Sequence, residues 1–158
     1  MPPGALRLEY LDPADLEANP ANWRLHPPAQ LAAITEVIAE VGWAGALLFN
    51  ERTKRLSDGH ARKSLFAGKG PVPVLIGDWT AEQEKKILLS LDPITSMAEA
   101  NRSALDALLR DVETSGQALA AMLTQVAEAA DVIPKETEEV LPAPEDSAKC
   151  PTCGRLNP

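Results

Sequence analysis

A polar run at residues 58–64, DGHARKS, carries the residue types most suited to chemistry on a phosphate. Gly59 precedes a predicted short helix, and the first amides of a helix have no internal partners and lie at its positive end. Such an end suits an anion, and a glycine lets the backbone come close to a phosphate. Arg62 and Lys63 would add positive charge, and the Ser64 hydroxyl would add a hydrogen bond. The run therefore predicts a phosphate-binding loop.

Two residues of this run are also candidates for catalysis. A histidine at a helix start, here His60, holds its proton weakly, so the neutral ring can serve as a base or as a hydrogen-bond donor. Asp58 suits a Mg²⁺ ion beside phosphates, because this cation prefers carboxylate and phosphate oxygens. A structural interpretation stands beside these roles. In it Asp58 caps the helix and Gly59 is a turn residue. For His60 the alternative to catalysis is to donate to a phosphate or to its own loop.

Charge is unevenly distributed along an acidic chain. The net charge of the 158 residues is −8, which by itself argues against a nucleic-acid partner. The first 80 residues, however, are close to charge balance, and the basic residues of the range 52–69 face only Asp58. These basic residues are Arg52, Lys54, Arg55, Arg62, Lys63 and Lys69. The same cluster is also typical of a solvated hairpin tip and helix face.

The first elements that would position the run are a strand, a helix and a strand pair. Leu6, Leu8 and Tyr10 alternate with charged residues, which is the period of a half-buried strand. Apolar residues at helical spacing then follow two prolines and end at Gly42, which predicts a helix. Residues 44–60 read as a strand pair joined by a charged turn.

The later elements complete a small unit. Val72 to Ile76 reads as a strand, which Pro71 and Pro73 restrict to a sheet edge or a strand start. A capping box at Thr80 predicts a helix that stops before Pro93. With the short helix from residue 60, the order is strand, helix, strand, strand, helix, strand. This order predicts an α+β (α/β) fold, a small mixed sheet with flanking helices.

Composition divides the chain into four segments. Residues 1–100 hold the sheet unit, and leucine-rich helical patterns predict a helical extension over residues 101–130. Residues 131–149 are rich in proline and glutamate, which is typical of a flexible acidic linker. Residues 150–158 form a separate fragment.

The last segment resembles one knuckle of a zinc ribbon. Cys150 and Cys153 have the spacing at which two thiolates point at one Zn²⁺ ion. A structural zinc takes four ligands, so either a second chain contributes another pair, or the partner knuckle is missing, or the site is empty. No apolar run approaches the roughly 18 residues of a membrane span, and the N-terminus has no signal-peptide pattern. We therefore expect a cytoplasmic protein with no membrane partner.

Several short motifs occur in an order that resembles a known family. The resemblance is to the ParB-like nuclease domain of the ParB/sulfiredoxin superfamily, in the branch found in phages and mobile elements. It covers roughly Leu6 to Met97. The matching pieces are Asn19–Pro27 (NPANWRLHP), Val41–Trp43 (VGW), Asp58–Arg62 (DGHAR), Val72–Val74 (VPV) and Trp79–Glu84 (WTAEQE).

The resemblance implies a site that holds phosphates. Its phosphate loop would comprise Gly59, His60, Arg62 and Lys63, and an early loop would bring Asn19, Asn22 and Arg24 toward it. Family members bind CTP, hydrolyse nucleotides, phosphorylate small molecules, reduce an oxidised cysteine or engage DNA. We therefore expect a nucleotide, CTP or ATP with Mg²⁺, or DNA as the ligand, with nuclease, phosphohydrolase or phosphotransferase activity left open.

This chain departs from two branches of that family. Its loop has no cysteine, which excludes a sulfiredoxin activity, and it reads Gly-His-Ala-Arg where the CTP-using partitioning proteins have Gly-Glu-Arg-Arg. No counterpart of their helix-turn-helix is evident after Met97. An alternative interpretation is a non-catalytic adaptor, in which the helices of residues 103–130 and the acidic linker form a homodimer or recruit a DNA-handling partner.

Overall fold

The computed structural model describes residues 5–132 of the chain. The predicted segment 150–158 with its two cysteines, and all but the first two residues of the predicted linker, lie outside the described residues. Within residues 5–132, four strands and five α-helices form an α+β fold, as the sequence predicts. None of these helices is long and apolar enough to cross a membrane.

The strands form one mixed sheet in the order β1-β4-β2-β3. Their bounds are β1 Arg7–Leu11, β2 Leu47–Asn50, β3 Arg55–Asp58 and β4 Val72–Gly77. β4 is antiparallel to β1 and parallel to β2, and β3 is antiparallel to β2. Between β3 and β4 the chain forms the short helix α2, His60–Phe66. The predicted phosphate loop consists of Gly59, just before this helix, and of residues in its first turn.

β4 lies between β1 and β2, so the prediction that its prolines place it at a sheet edge is wrong. The alternative prediction, that the prolines lie at the start of the strand, is confirmed. The amide of Glu51 donates to the carbonyl of Gly77 over 2.9 Å, so the odd-numbered residues of β4 direct their backbone groups toward β2. Pro73 is the second residue of β4, one position before Val74, the first residue of β4 that pairs with β2. Its missing N–H therefore falls outside the ladder, and no bond is lost.

The core lies on one face of this sheet. Its buried side chains come from β2, β3 and β4 and from the loop after β1, and partly buried aromatic residues pack against them. The buried members are Leu16, Leu47, Leu56, Val72, Val74 and Ile76. Trp43 and Phe66 meet edge to face with ring centroids 5.1 Å apart, which joins the end of the first helix to α2.

β1 is a strand, as predicted, but its apolar side faces away from the core. Leu6, Leu8 and Tyr10 are 45%, 56% and 66% exposed. The other side carries Arg7 and Glu9, whose side chains form an ion pair of 2.7 Å. Arg7 also reaches Glu51 in the turn after β2, at 2.8 Å. These ion pairs satisfy the charges of Arg7 and Glu9 on the inner side. The strand is therefore half-buried, but its charged side faces inward and its apolar side faces outward.

Four longer helices complete the described fold. They are α1 Pro28–Val41, α3 Ala81–Ser96, α4 Arg102–Asp111 and α5 Gln117–Ala129. The start of α1 at the two prolines and its end at Gly42, with φ of 79°, agree with the sequence. The capping box of Thr80 and Gln83 is present at the start of α3.

α3 continues through Pro93, so the predicted stop before this residue is wrong. A proline inside a helix removes one i to i−4 hydrogen bond and crowds the preceding turn. Here Pro93 lies in the last turn, where the hydroxyls of Thr95 and Ser96 donate to the carbonyls of Leu91 and Asp92. The bond that Pro93 removes is the one to the Leu89 carbonyl, so α3 loses a single bond near its end and ends only at Ser96.

The helical extension packs on α1 through two glutamates. The Glu40 carboxylate accepts hydrogen bonds from the Thr114 hydroxyl at 2.7 Å and from the Gly116 amide at 3.1 Å. The Glu36 carboxylate accepts from the Leu119 amide at 2.7 Å. Carboxylates at a helix start meet its free amides and its positive dipole end. The start of α5 is therefore capped by side chains of another helix.

This capping predicts an acid-sensitive α5. The donors from residues 114–116 hold the pKa of Glu40 below its ordinary value of 4.5. Because the folded pKa is lowered, the stabilisation is present above pH 4.5 and is lost as pH falls below it. We expect Glu40→Gln to reduce protection of α5 amides from hydrogen exchange at neutral pH and to flatten the acid-dependent loss. Glu128→Gln, an exposed change within α5, should do neither.

Candidate functional site

A cleft of about 760 Å³ lies between α1, the start of α2 and the loop that precedes α1. Its volume falls in the range of small-molecule sites, roughly 300 to 1,000 Å³. One wall is apolar and is formed by α1 and the segment after it, with Ile34, Val37, Ile38, Val41 and Trp43. The other wall is polar, with Asn22, Arg24, His26, Asp58, Gly59, His60, Arg62 and Asp92.

Gly59 sets the position of α2 on this wall. Its φ of 92° and ψ of 21° lie in the left-handed region that side chains disfavour. A Cβ atom at this position would lie 2.8 Å from Cγ of Leu47, a fully buried residue of β2. The turn therefore requires glycine for its conformation and for its close approach to the sheet. It brings the first amides of α2 to the edge of the cleft.

Asp58 does not cap α2. Gly59 is the N-cap residue and no side chain within residues 5–132 caps the helix, while the first helical bond runs from the Lys63 amide to the Gly59 carbonyl at 2.8 Å. The carboxylate of Asp58 instead pairs with Arg62 at 3.1 Å, one turn further along. The amides of residues 60–62 are thus left without a side-chain cap, and the structural interpretation of Asp58 as cap is wrong.

His60 is held in one orientation by the early loop. The backbone amide of Asn19 donates to Nε2 of His60 over 3.2 Å, so the neutral ring carries its proton on Nδ1. Burial lowers the pKa of His60, with Arg24, His26 and Lys63 adding to the shift and Asp58 opposing it. The ring is therefore neutral near pH 7 and suited to donate from Nδ1. To act as a base through Nε2, it would first have to lose its bond to Asn19.

A buried carboxylate holds Asn19 in place. Glu84 is 5% exposed, and its carboxylate accepts from the Asn19 side chain at 2.8 Å and from Asn50 at 2.6 Å. The Thr53 hydroxyl also donates to it. Asn50 further exchanges hydrogen bonds with the backbone of Trp79, at 3.0 and 3.1 Å. The network joins α3, the end of β2 and the early loop.

Arg24 and His26 bring to the cleft polar groups that bond to no residue in the described part of the chain. The guanidinium of Arg24 pairs with Asp92 through Nη1 and lies 5.0 Å from the centre of the Trp23 ring. Its Nη2 is buried, and no described residue bonds to it. The same holds for Nε2 of His26, whose Nδ1 faces Gln30 at 3.0 Å. Buried polar atoms without partners are rare in folded proteins and mark positions where a ligand or water completes the bonding.

The remaining predicted residues lie at different distances from the cleft. Asn22 lines it, whereas Asn19 is buried and directs its side chain to Glu84. Lys63 and Ser64 follow on α2 and are not among the residues that line the cleft. The Ser64 hydroxyl donates to the Ala61 carbonyl at 2.8 Å. The two predicted loops thus meet at Asn22, Arg24, Gly59, His60 and Arg62, with Asp58 beside them.

Sequence reasoning missed two classes of site residue. Glu84 and Asn50 look like exposed polar residues of a helix and of a turn, and only their burial reveals their role. The apolar stripe of α1 predicted only a helix, yet part of it lines the cleft. Among residues 5–132 there is no group of three or more histidine, cysteine, aspartate or glutamate side chains placed to hold a metal ion.

No family model matches the chain, and no curated protein matches it either. The resemblance to ParB-like domains therefore stays a prediction that rests on the motifs quoted above.

The Gly59 turn predicts a costly substitution. We expect Gly59→Ala to lower the free energy of unfolding by about 1–3 kcal/mol, because alanine meets both the left-handed backbone and the Leu47 side chain. Chemical denaturation measures the change. Gly68→Ala is the control, because Gly68 also has a positive φ of 73° but a Cβ atom added there would meet no atom within 4 Å. A cost no larger than that of Gly68→Ala would contradict the close-approach argument.

The buried network predicts a second stability effect. Glu84→Gln replaces an acceptor oxygen by a donor and leaves Asn19 or Asn50 facing it, so we expect a loss of about 1–3 kcal/mol in the free energy of unfolding. Glu82→Gln makes the same change on the exposed side of the same helix turn, where the glutamate pairs only with Lys86. Its effect should stay within about 0.5 kcal/mol. Equal effects of the two substitutions in denaturant titrations would contradict a structural role for the network.

Proposed function

We propose that the cleft binds the phosphates of a nucleotide or of a nucleic acid, as a ParB-like domain of phage or plasmid DNA metabolism would. The observation that carries the proposal is the buried Nη2 of Arg24, an N–H₂ group with no partner among the described residues, at the wall of a cleft of this size. A buried donor left unpaired costs about 1–3 kcal/mol, and a phosphate oxygen would remove that cost.

Other donors converge on the same wall. Nδ1–H of His60 and the uncapped first amides of α2 lie beside Arg62, whose Nη2 is held by Asp58 at 3.1 Å. The pairing with Asp58 and Asp92 fixes both guanidinium groups before a ligand arrives, which reduces the entropy lost on binding. It also cancels their charge. Recognition therefore depends on the geometry of the donors more than on a strong positive field.

The two unlike walls favour a nucleotide over inorganic phosphate or the backbone of a duplex. A nucleotide has an apolar base and an anionic tail, and the cleft offers the α1 stripe on one side and Arg24, His60 and Arg62 on the other. An unpaired nucleotide within single-stranded DNA has the same two parts. Mg²⁺ bound to the phosphates would lie near Asp58, since carboxylate and phosphate oxygens are its preferred ligands.

Affinity for such a ligand should increase as pH falls. An anion in the cleft stabilises protonated His60, whose pKa in the free protein is lowered chiefly by burial and whose second proton, on Nε2, replaces the bond from the Asn19 amide. Binding therefore takes up a proton over the pH range in which His60 titrates, below the ordinary histidine pKa near 6.5.

Isothermal titration tests the proposal with CTP, ATP and a short single-stranded DNA, each with and without Mg²⁺, at two pH values. We expect binding of at least one ligand, tighter at the lower pH, and at least a tenfold loss in Arg24→Ala and in Arg62→Ala. Arg110→Ala is the matched control, because Arg110 also pairs with an aspartate four residues earlier, Asp106, but lies on α4. Failure of every phosphate ligand to bind would overturn the proposal.

Catalysis requires a separate result. Release of phosphate from a nucleotide, or nicking of DNA, would have to disappear in His60→Ala while ligand binding remained measurable. The bond from the Asn19 amide to Nε2 favours His60 as a donor to a phosphate, so we expect binding without fast turnover.

The adaptor remains the second candidate, and exposed apolar side chains of the extension favour it. Leu108, Val112, Met122 and Val126 are all exposed on the residue range 103–130. If no phosphate ligand binds, a partner that covers these side chains becomes the leading interpretation.

A further inference from the structure

The outer edge of the sheet at β1 carries an unusual combination of features. Among residues 5–132, β1 pairs with β4 on one side only, since it is the first strand of the order β1-β4-β2-β3. The exposed side chains of β1 and of the residue before it, Leu6, Leu8 and Tyr10, are all large and apolar. An edge strand of this kind, with no proline or lysine, is a template for pairing with another strand.

The direction of the free backbone groups follows from the β4 ladder. The odd-numbered residues of β4 face β2, as the bond from Glu51 to Gly77 shows, so the even-numbered residues face β1. Their partners in the register are Arg7 with Ile76, Glu9 with Val74 and Leu11 with Val72. The N–H and C=O groups of residues 6, 8 and 10 therefore point away from the sheet. The residues with exposed apolar side chains also hold the free backbone groups.

We propose that a second copy of this chain pairs with β1 in antiparallel orientation about a two-fold axis at Leu8. Leu8 then faces Leu8 of the second copy, and Leu6 faces Tyr10 of the second copy. These are the residues whose backbone groups point outward, so each opposed pair exchanges two N–H···O=C bonds. The two four-stranded sheets become one continuous sheet with an isologous interface.

Several registers would place the apolar sides of the two β1 strands on the same face of the joined sheet. The charges of Arg7 and Glu9 select this one among them. Centring on Leu8 places Arg7 opposite Glu9 of the second copy, twice by symmetry. Moving the axis by one residue toward either end would place Arg7 opposite Arg7, or Glu9 opposite Glu9, which is unfavourable for directly opposed charges. The pair that Arg7 and Glu9 form within one strand, at 2.7 Å, is exchanged for the same pair between copies. Inward-pointing charges often block edge pairing, but here they are self-complementary.

The apolar face supports the same arrangement. Leu8 pairs with Leu75 of β4, and Leu75 pairs with Leu48 of β2, so three leucines form one row across the sheet. In the proposed dimer the row continues without a break through the same three leucines of the second copy. Cross-strand apolar pairs of this kind each contribute roughly 0.2–1 kcal/mol. No residue of β1 lines the cleft, so this proposal is independent of the proposed function.

Disulfide cross-linking of the full chain tests the register. In a background with Cys150→Ser and Cys153→Ser, a single cysteine is introduced as Leu8→Cys or as Tyr10→Cys. In the proposed dimer the two Cα atoms at position 8 lie about 5.5 Å apart, within disulfide range. The two at position 10 lie about 13 Å apart, four residues along the strand, and are too far. We expect Leu8→Cys to form a covalent dimer under mild oxidation and Tyr10→Cys to stay monomeric on a non-reducing gel. Equal cross-linking of the two, or none in Leu8→Cys, would overturn the proposal.

Sedimentation tests the charge argument without a cross-link. We expect the unmodified chain to sediment as a concentration-dependent dimer, and Glu9→Arg to sediment as a monomer because two arginines then face each other. Glu99→Arg, the same charge change at an exposed position outside β1, should leave the dimer intact. Circular dichroism of each variant verifies folding, and if Glu9→Arg unfolds, the cysteine pair decides. An unmodified chain that stays monomeric at its highest soluble concentration would also overturn the proposal.

Discussion

The buried carboxylate of Glu84 is the interaction on which the site depends most. A charge at 5% exposure is stable only if its oxygens are saturated with donors, and Asn19, Asn50 and Thr53 supply them. These three residues belong to a loop, the end of β2 and the turn after it. One carboxylate therefore fixes the relative positions of α3, the sheet and the early loop, and through the Asn19 amide it also fixes the tautomer of His60.

The Gly59 turn is the second constraint, and it acts from the sheet outward. Its left-handed backbone and its contact with Leu47 place α2 against β2, with the first amides of the helix toward the cleft. α1 supplies the opposite wall. Part of its apolar surface is covered neither by the core nor by α5, and this part lines the cleft. The cleft is the space between the apolar stripe of α1 and the start of α2.

The basic surplus that the sequence suggests at residues 52–69 is partly offset in the folded protein by acidic partners from outside the segment. Arg52 pairs with Asp78 at 2.6 Å, Arg55 with Glu17 at 3.4 Å, and Arg62 with Asp58 at 3.1 Å. Two of these partners are distant in sequence, so the charge count of a segment overestimates its field. A ligand at this site would be recognised by oriented donors and by shape, which agrees with the near balance of charge in the first 80 residues.

The sequence by itself determined the features that depend on near neighbours. The strand and helix order, the limits of α1 at its prolines and Gly42, and the capping box of Thr80 all follow from spacing and from local steric rules. Only the tertiary structure decided the orientation of β1, the interior position of β4, the passage of α3 through Pro93, and the burial of Glu84 with Asn19 and Asn50. In most of these cases the deciding contact joins residues about 30 to 70 positions apart, as in the bonds of Asn50 and of Asn19 to Glu84. A local pattern states which side chains share a face, but the partner that makes a face inner or outer comes from elsewhere in the chain.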